Sequence, residues 1–256
     1  MGSQVDCVGA TLADELVNNG GASSQVADLA VENDRRIVIA FVGMAFEARI
    51  AAGPGVQVVC RSAERELATV VQSAVRQGYR GMISFGVAGG LTRDLRAGDW
   101  VVASTVLESQ NVRATDSAWS GKLLGMIAGA VHAPIVGVDD PVAEPAKKRE
   151  LHKSTGAAAV DMESHVVARL AAAHQLAFAA VRVIVDPVDR QLPPAALLGM
   201  RPDGRADVAG VLRDLMARPS QLSPLARIAV DAFAARAAML RVRRSLGPHF
   251  GLADLA

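Results

Sequence analysis

Three short segments of this sequence each end an apolar run in residues that can do chemistry. The first, 42–49, places Glu47 and Arg49 just beyond the run 37–41. The second, 84–91, carries Gly86, Val87, Gly89 and Gly90, and the third links Asp161-Met162-Glu163-Ser164 to Arg182 and Asp186 across one helical stretch. A carboxyl group whose pKa is raised by burial can give or take a proton near neutral pH. An ionised carboxylate can accept two hydrogen bonds side by side, which suits a vicinal diol. Glycine lets backbone N–H groups come close to an oxygen. Plainer readings stand beside these: Asp186 as a strand-end cap, Asp161 to Glu163 as a helix start favoured by the dipole, Met162 as core, and Arg182 as a surface salt bridge.

Such residues need a scaffold that brings strand ends together. The run 37–41 reads as a buried strand, and Leu67, Val70, Val71, Ala74 and Val75 follow helical spacing. A strand running into a glycine turn is expected over 81–86, and further strands over 100–107 and 135–138. A polar helix is expected over 143–155, closing at Gly156; a helix follows Val160, and then a strand over 178–185. This alternation predicts an α/β fold, a three-layer α/β/α sandwich around a central mixed sheet. Active sites of such sheets gather at the carboxyl ends of strands. Residues 1–35, punctuated by Gly20-Gly21 and Ser23-Ser24, read as an N-terminal extension, and 36–256 as a single catalytic domain with C-terminal helices from about 206.

Composition narrows the partners. Apolar residues make up 51% of the 256 residues and aromatics 4%, so the core must be built mainly from Ala, Val, Leu and Ile. Net charge is +1, with 27 basic and 26 acidic residues, which makes no electrostatic case for nucleic acid. Lys147-Lys148-Arg149 reads as a solvated helix face. Cys7 and Cys60 and the five histidines lack metal-ligand spacing, so neither a metal nor a resident cofactor is expected. No stretch reaches the roughly 18 apolar residues of a membrane span. The acidic start, with Asp6, Asp14 and Glu15, argues for a cytoplasmic protein.

The order and spacing of the three segments resemble the purine nucleoside phosphorylase and methylthioadenosine nucleosidase superfamily, from about residue 37 to 189. The pairing of Val160-Asp161-Met162-Glu163-Ser164 with Arg182-Val183-Ile184-Val185-Asp186-Pro187 carries most of that resemblance. It implies cleavage of the bond between a purine and its ribose, with adenine as the base. Asp186 would protonate N7 of the leaving adenine, and Glu163 would grip the ribose 2′ and 3′ hydroxyls with Met162 against the sugar. Glu47 would orient and deprotonate an attacking water, Arg182 would help hold that oxygen, and Gly86, Val87 and Gly89 would offer backbone beside it. The loop 139–142, ending at Val142, would meet the base through its main chain.

Phosphorolytic relatives carry an arginine where this chain has Glu47 and a serine where it has Val87. Both departures favour water over phosphate as nucleophile, although Arg49, Arg61 and Arg93 lie close enough in sequence to compensate a phosphate co-substrate. Residues 192–197 and 199–204 are similar to the hopanoid-associated branch, implicated in removing adenine from adenosylhopane. The apolar stretch 192–200 would then admit a hydrophobic 5′ substituent. A nucleosidase for methylthioadenosine or adenosylhomocysteine is the nearest alternative, and a catalytically silent nucleoside-binding module another. Near the C-terminus, Leu225, Ile228, Ala229, Ala232 and Met239 share one helical face, interrupted by Arg236 and Arg243. That face suits packing on the domain or a homodimer, or peripheral contact with the inner membrane face. The resemblance also implies a homo-oligomer.

Overall fold

The computed structural model describes residues 37–60, 64–193 and 222–255. The expected N-terminal extension, the first of the C-terminal helices expected from about 206, and most of the apolar stretch 192–200 lie outside the described residues.

Strand β1 (Val38–Val42) is buried along its whole length and pairs in parallel with β2 (Val56–Cys60) and β3 (Gly81–Gly90). Helix α1 (Ala45–Ala51) joins β1 to β2, and α2 (Glu64–Arg76) leads to β3. Leu67, Val71 and Ala74 of α2 are buried, as their spacing predicts. There follow β4 (Trp100–Glu108), β5 (Asn111–Ala114), α3 (Ser117–Met126), β6 (Val131–Gly137) and α4 (Pro145–Thr155). The fold continues with β7 (Ala159–Asp161), α5 (Ser164–Ala173), β8 (Ala177–Asp186), α6 (Leu222–Ser245) and a 3₁₀ segment, Pro248–Leu255. Helix α4 starts with Pro145, whose missing N–H costs nothing there, and stops at Gly156 in the left-handed region, φ 70°.

The sheet is mixed, as expected, and it closes on itself. Strand β3 is bonded to β7 and β8, β8 to β4, β4 to β6 and β6 back to β7, so five strands form a ring from which β1, β2 and β5 extend. Helices cover both faces. Ala48 of α1, Trp119 and Leu123 of α3, and Ala235, Ala238 and Met239 of α6 share one core; Val71 of α2 and Val167 and Leu170 of α5 share the other.

Two expectations change. Strand β3 does not turn at Gly86 but runs on to Gly90, because Gly86 and Gly89 are held in register with β8, and Gly89 and Gly90 with β7. Tertiary pairing overrides the poor strand preference of glycine. Helix α6 packs on the domain, yet its inner face is rotated: Ala229 and Ala232 are exposed, while Ala234, Ala235, Ala238 and Val242 turn inward. Arg243 belongs to that inner side. Its guanidinium donates to the carbonyls of Ala51 and Gly247 and lies 4.6 Å from the Phe250 ring centroid, so an arginine fits where an interruption was expected. No helix among the described residues is long and apolar enough to cross a membrane.

Candidate active site

Strands β3 and β8 run in parallel with Gly86 opposite Arg182 and Gly89 opposite Asp186. The register shifts between Ala88 and Gly89, leaving Val185 unmatched, a bulge at the end that carries Asp186. Three residues at ~3.3 Å each separate the two levels by about 10 Å.

At the first level lies Glu47, in the first turn of α1 and only 1% exposed. Its Oε2 accepts N–H bonds from Gly43 and Met44, both 2.8 Å, and its Oε1 accepts one from Val87, 2.8 Å. Burial first, and then repulsion from Glu163, push its carboxyl up to about 7; Arg182 and the backbone donors pull the other way without cancelling the rise. The Val87 N–H is therefore spent on Glu47, and the carboxylate is the group that presents an oxygen.

Arg182 is fully buried, so the surface salt-bridge reading fails. Its Nε lies 2.5 Å from Asp161 Oδ2, and its Nη2 donates to Ser84 Oγ at 2.5 Å. Nη2 is also 3.5 Å from Glu163 Oε2, and Nη1 donates to the Val87 carbonyl at 3.5 Å. Burial by itself would lower its pKa; attraction to Asp161, Glu163 and Glu47 outweighs that and holds it as a guanidinium. Ser164 binds Asp161 through both its N–H and its hydroxyl, which ties the first residue of α5 to the end of β7.

Glu163 precedes α5, with its side chain 16% exposed, and Met162 beside it is half-buried. Glycine at three positions makes room for the carboxylates. A Cβ on Gly43 would lie 2.7 Å from Glu163 Oε1; on Gly86, 2.6 Å from Glu47 Oε1 and 2.7 Å from Arg182 Nη1; on Gly89, 3.1 Å from Asp186 Oδ1. Beside the backbone approach expected of Gly86 and Gly89, the space that these three glycines leave is taken up by side-chain atoms. Gly86→Ala is accordingly expected to displace Glu47 or Arg182, destabilising the fold by ~1–3 kcal/mol. Activity should fall more than stability does, and paired melting and rate measurements would show it.

At the second level Asp186 ends β8, 7% exposed. Burial raises its pKa, opposed by Lys148. Lys148 corrects the sequence reading: with no exposure at all, it is no part of a solvated face, and its Nζ lies 2.5 Å from Asp186 Oδ2. Its neighbours Lys147 and Arg149 are exposed as expected. The available signal was spacing, since Lys148 shares the i, i+3, i+7 line with the half-buried Leu151 and Thr155. Asp161, Ser164 and Ser84 lie in the three segments, and only the folded arrangement shows that they hold the Arg182 guanidinium.

Val142 is half-buried against Leu91, Val136, Ala157 and Val160. Of the arginines expected to compensate a phosphate, Arg49 lines a surface cavity with Gly53, Leu240, Arg243 and Pro248, and Arg93 is 79% exposed beside Asp189. Arg61 lies outside the described residues. That cavity contains none of the carboxylates above. Among the described residues no group of three or more His, Cys, Asp or Glu side chains is placed to hold a metal ion.

Residues 62–217, more than half of the chain, match the Phosphorylase superfamily. The chain belongs to that family. Three solved structures carry the same fold. The 5′-methylthioadenosine/S-adenosylhomocysteine nucleosidase of Neisseria meningitidis, in complex with methylthio-immucillin-A, is 16% identical over 81% of this chain and 97% of its own, with a TM-score of 0.56. The corresponding nucleosidase of Helicobacter pylori is 16% identical over 72% of this chain and 98% of its own, TM-score 0.55. Futalosine hydrolase of Helicobacter pylori is 16% identical over 81% and 96%, TM-score 0.54. No curated protein sequence matches the chain.

Proposed function

We propose that this superfamily member hydrolyses the N-glycosidic bond of an adenine nucleoside. The observation that carries the reading is the division of its carboxyls between two levels of β3 and β8: Glu47 and Glu163 around Arg182, and Asp186 beyond the bulge. Glu47 Oε2 already takes two N–H bonds, whereas Oε1 takes one, so Oε1 is the atom free to accept a proton from water. Glu163 binds the ribose diol. As the C1′–N9 bond breaks, its electron pair goes to the base, Asp186 gives its proton to N7, and the water oxygen bonds to C1′ while its proton passes to Glu47. The sugar leaves as a hemiacetal with a free C1′ hydroxyl and its 5′ substituent still attached, and neutral adenine leaves with it. The exposed positions of Arg49 and Arg93 support water over phosphate, which would need cations beside it.

A base of this kind must be ionised, so kcat/KM is expected to rise with pH through about 7, where Glu47 titrates. Glu47→Gln should lose that rising limb and on the order of 10²-fold or more in rate. The same shift predicts a stability trend. Glu47 binds its proton more tightly folded, about 7, than unfolded, 4.5, so stability is highest below pH 4.5 as far as this group is concerned and declines as pH rises to 7. Denaturant titrations across that range should show a shallower decline in Glu47→Gln. An unchanged slope and a retained limb would remove Glu47 from the role.

The motifs at 192–204 support adenosylhopane as the substrate, in hopanoid lipid biosynthesis. The test compares adenine release from adenosylhopane, methylthioadenosine and adenosylhomocysteine, with and without phosphate, and identifies the sugar. Ribose 1-phosphate would overturn hydrolysis. Cleavage of methylthioadenosine alone would overturn the lipid substrate, and no release from any of them would leave a silent binding module.

A further inference from the structure

Lys148 presents three protons to four oxygens. Asp186 Oδ2 lies at 2.5 Å, and the carbonyls of Asp186, Pro187 and Arg190 at 3.1, 3.2 and 3.3 Å. Lys148 is the one buried residue of α4, a helix of mainly polar sequence. A lysine taken wholly out of water is costly unless its charge and all its donors are matched. Here the match is made by the chain segment that ends β8 and by one oxygen of one carboxyl. The other oxygen, Oδ1, is the one nearer Gly89, where the absence of a side chain leaves it room.

We propose that Lys148 is the positioning residue of Asp186: it captures Oδ2 and the turn behind it, so that Oδ1 alone is left to carry the proton to the nucleobase. This rests on Asp186 being the acid. The step balances simply. Asp186 donates the proton on Oδ1 to N7, and the carboxylate so formed is born against the Lys148 ammonium, which keeps its own proton. Solvent reprotonates Asp186 after adenine leaves. The ammonium makes the acid stronger and, by the same attraction, makes it lose its proton at lower pH than burial alone would allow.

Lys148 faces Asp186 from α4, and Asp231 from α6 adds a smaller repulsion, itself 2.6 Å from Arg190 Nε. The productive form has Glu47 ionised and Asp186 protonated, so Glu47→Gln marks the limb that belongs to the base and leaves that of the acid to be read by itself.

The experiment measures kcat/KM against pH, in the full chain, on whichever of the three adenine nucleosides named above is cleaved fastest. Lys148→Met removes charge and donors together, Lys148→Gln removes the charge while keeping an N–H donor, and Lys148→Arg keeps both. The falling limb should move up by one pH unit or more in the Met and Gln variants, with the maximum rate reduced tenfold or more, and should stay in place in the Arg variant. If Lys148→Met fails to fold, Lys148→Gln decides. An unmoved limb in folded Lys148→Gln overturns the proposal and leaves Lys148 a packing residue. Asp186→Asn keeps the two readings apart: if it turns over normally, the acid itself is misassigned, whereas if it is inactive and the limb has not moved, only Lys148 is.

Discussion

Asp186→Asn is expected to slow adenine release by about 10²- to 10⁴-fold, the range a positioned general acid supplies. Asn fits the same space and can still accept from Lys148, but it has no proton to give to N7. The substitution also has a structural cost. Lys148 has no exposure, and without the carboxylate its charge is met only by neutral oxygens, the amide's and three backbone carbonyls. Breaking a buried pair from one side typically costs about 3–5 kcal/mol. A lower melting temperature would therefore accompany the lost activity, and the second effect could be mistaken for the cause of the first. The double variant Asp186→Asn/Lys148→Met separates them, because it removes the orphaned ammonium. Stability is expected to recover in the double variant, measured by denaturant unfolding, while adenine release stays at the Asp186→Asn level. If Asp186→Asn were folded and turned over near the normal rate, the acid would have to be sought elsewhere.

The candidate site residues were legible in sequence for a physical reason. Glu47, Glu163 and Asp186 stand where apolar strands end, and a strand end in a covered sheet is where a polar side chain meets a cleft rather than a core. Helix α4 was legible for the same kind of reason, since Pro145 and Gly156 punctuate it chemically. What could not be read was tertiary. Strand β5 is almost wholly exposed and so lacks the alternation of buried and exposed residues that betrays a half-buried strand. Strand β7 is three residues long, too short for any period. The ring closure depends on β8 bonding to both β3 and β4, which no local pattern encodes. Lys148 was misread because lysine in a polar helix is nearly always solvated, and its partner stands 38 residues away. Gly86 was marked as special, but its Cβ-free space serves Glu47, a residue 39 positions earlier brought there by the pairing of β1 with β3.

Arg182 tests how far those buried carboxylates depend on one cation. Asp161, Glu163 and Glu47 all contribute to holding it charged, and Asp161 is bonded to it directly. Arg182→Met keeps much of the volume and removes the charge, leaving three acidic groups facing each other in a dry interior. The loss is expected to be about 3–5 kcal/mol at pH 8, the range for one-sided removal of a buried ion pair. Its pH dependence separates electrostatics from packing. Without Arg182 the Glu47 carboxyl holds its proton to higher pH in the folded chain, and a raised folded-state pKa gives stability that is present at low pH and lost as pH rises. The difference between wild type and Arg182→Met should therefore shrink between pH 8 and pH 5. Equal differences at the two values would mean that the arginine matters only as a filler of space. Arg182→Lys should fall between them, because one ammonium cannot reach Asp161, Ser84 and the Val87 carbonyl together as the planar guanidinium does. Activity should be lost in Arg182→Met, since Glu47 stripped of its cation stays protonated at neutral pH and cannot take a proton from water, and only reduced in Arg182→Lys, which keeps a positive charge.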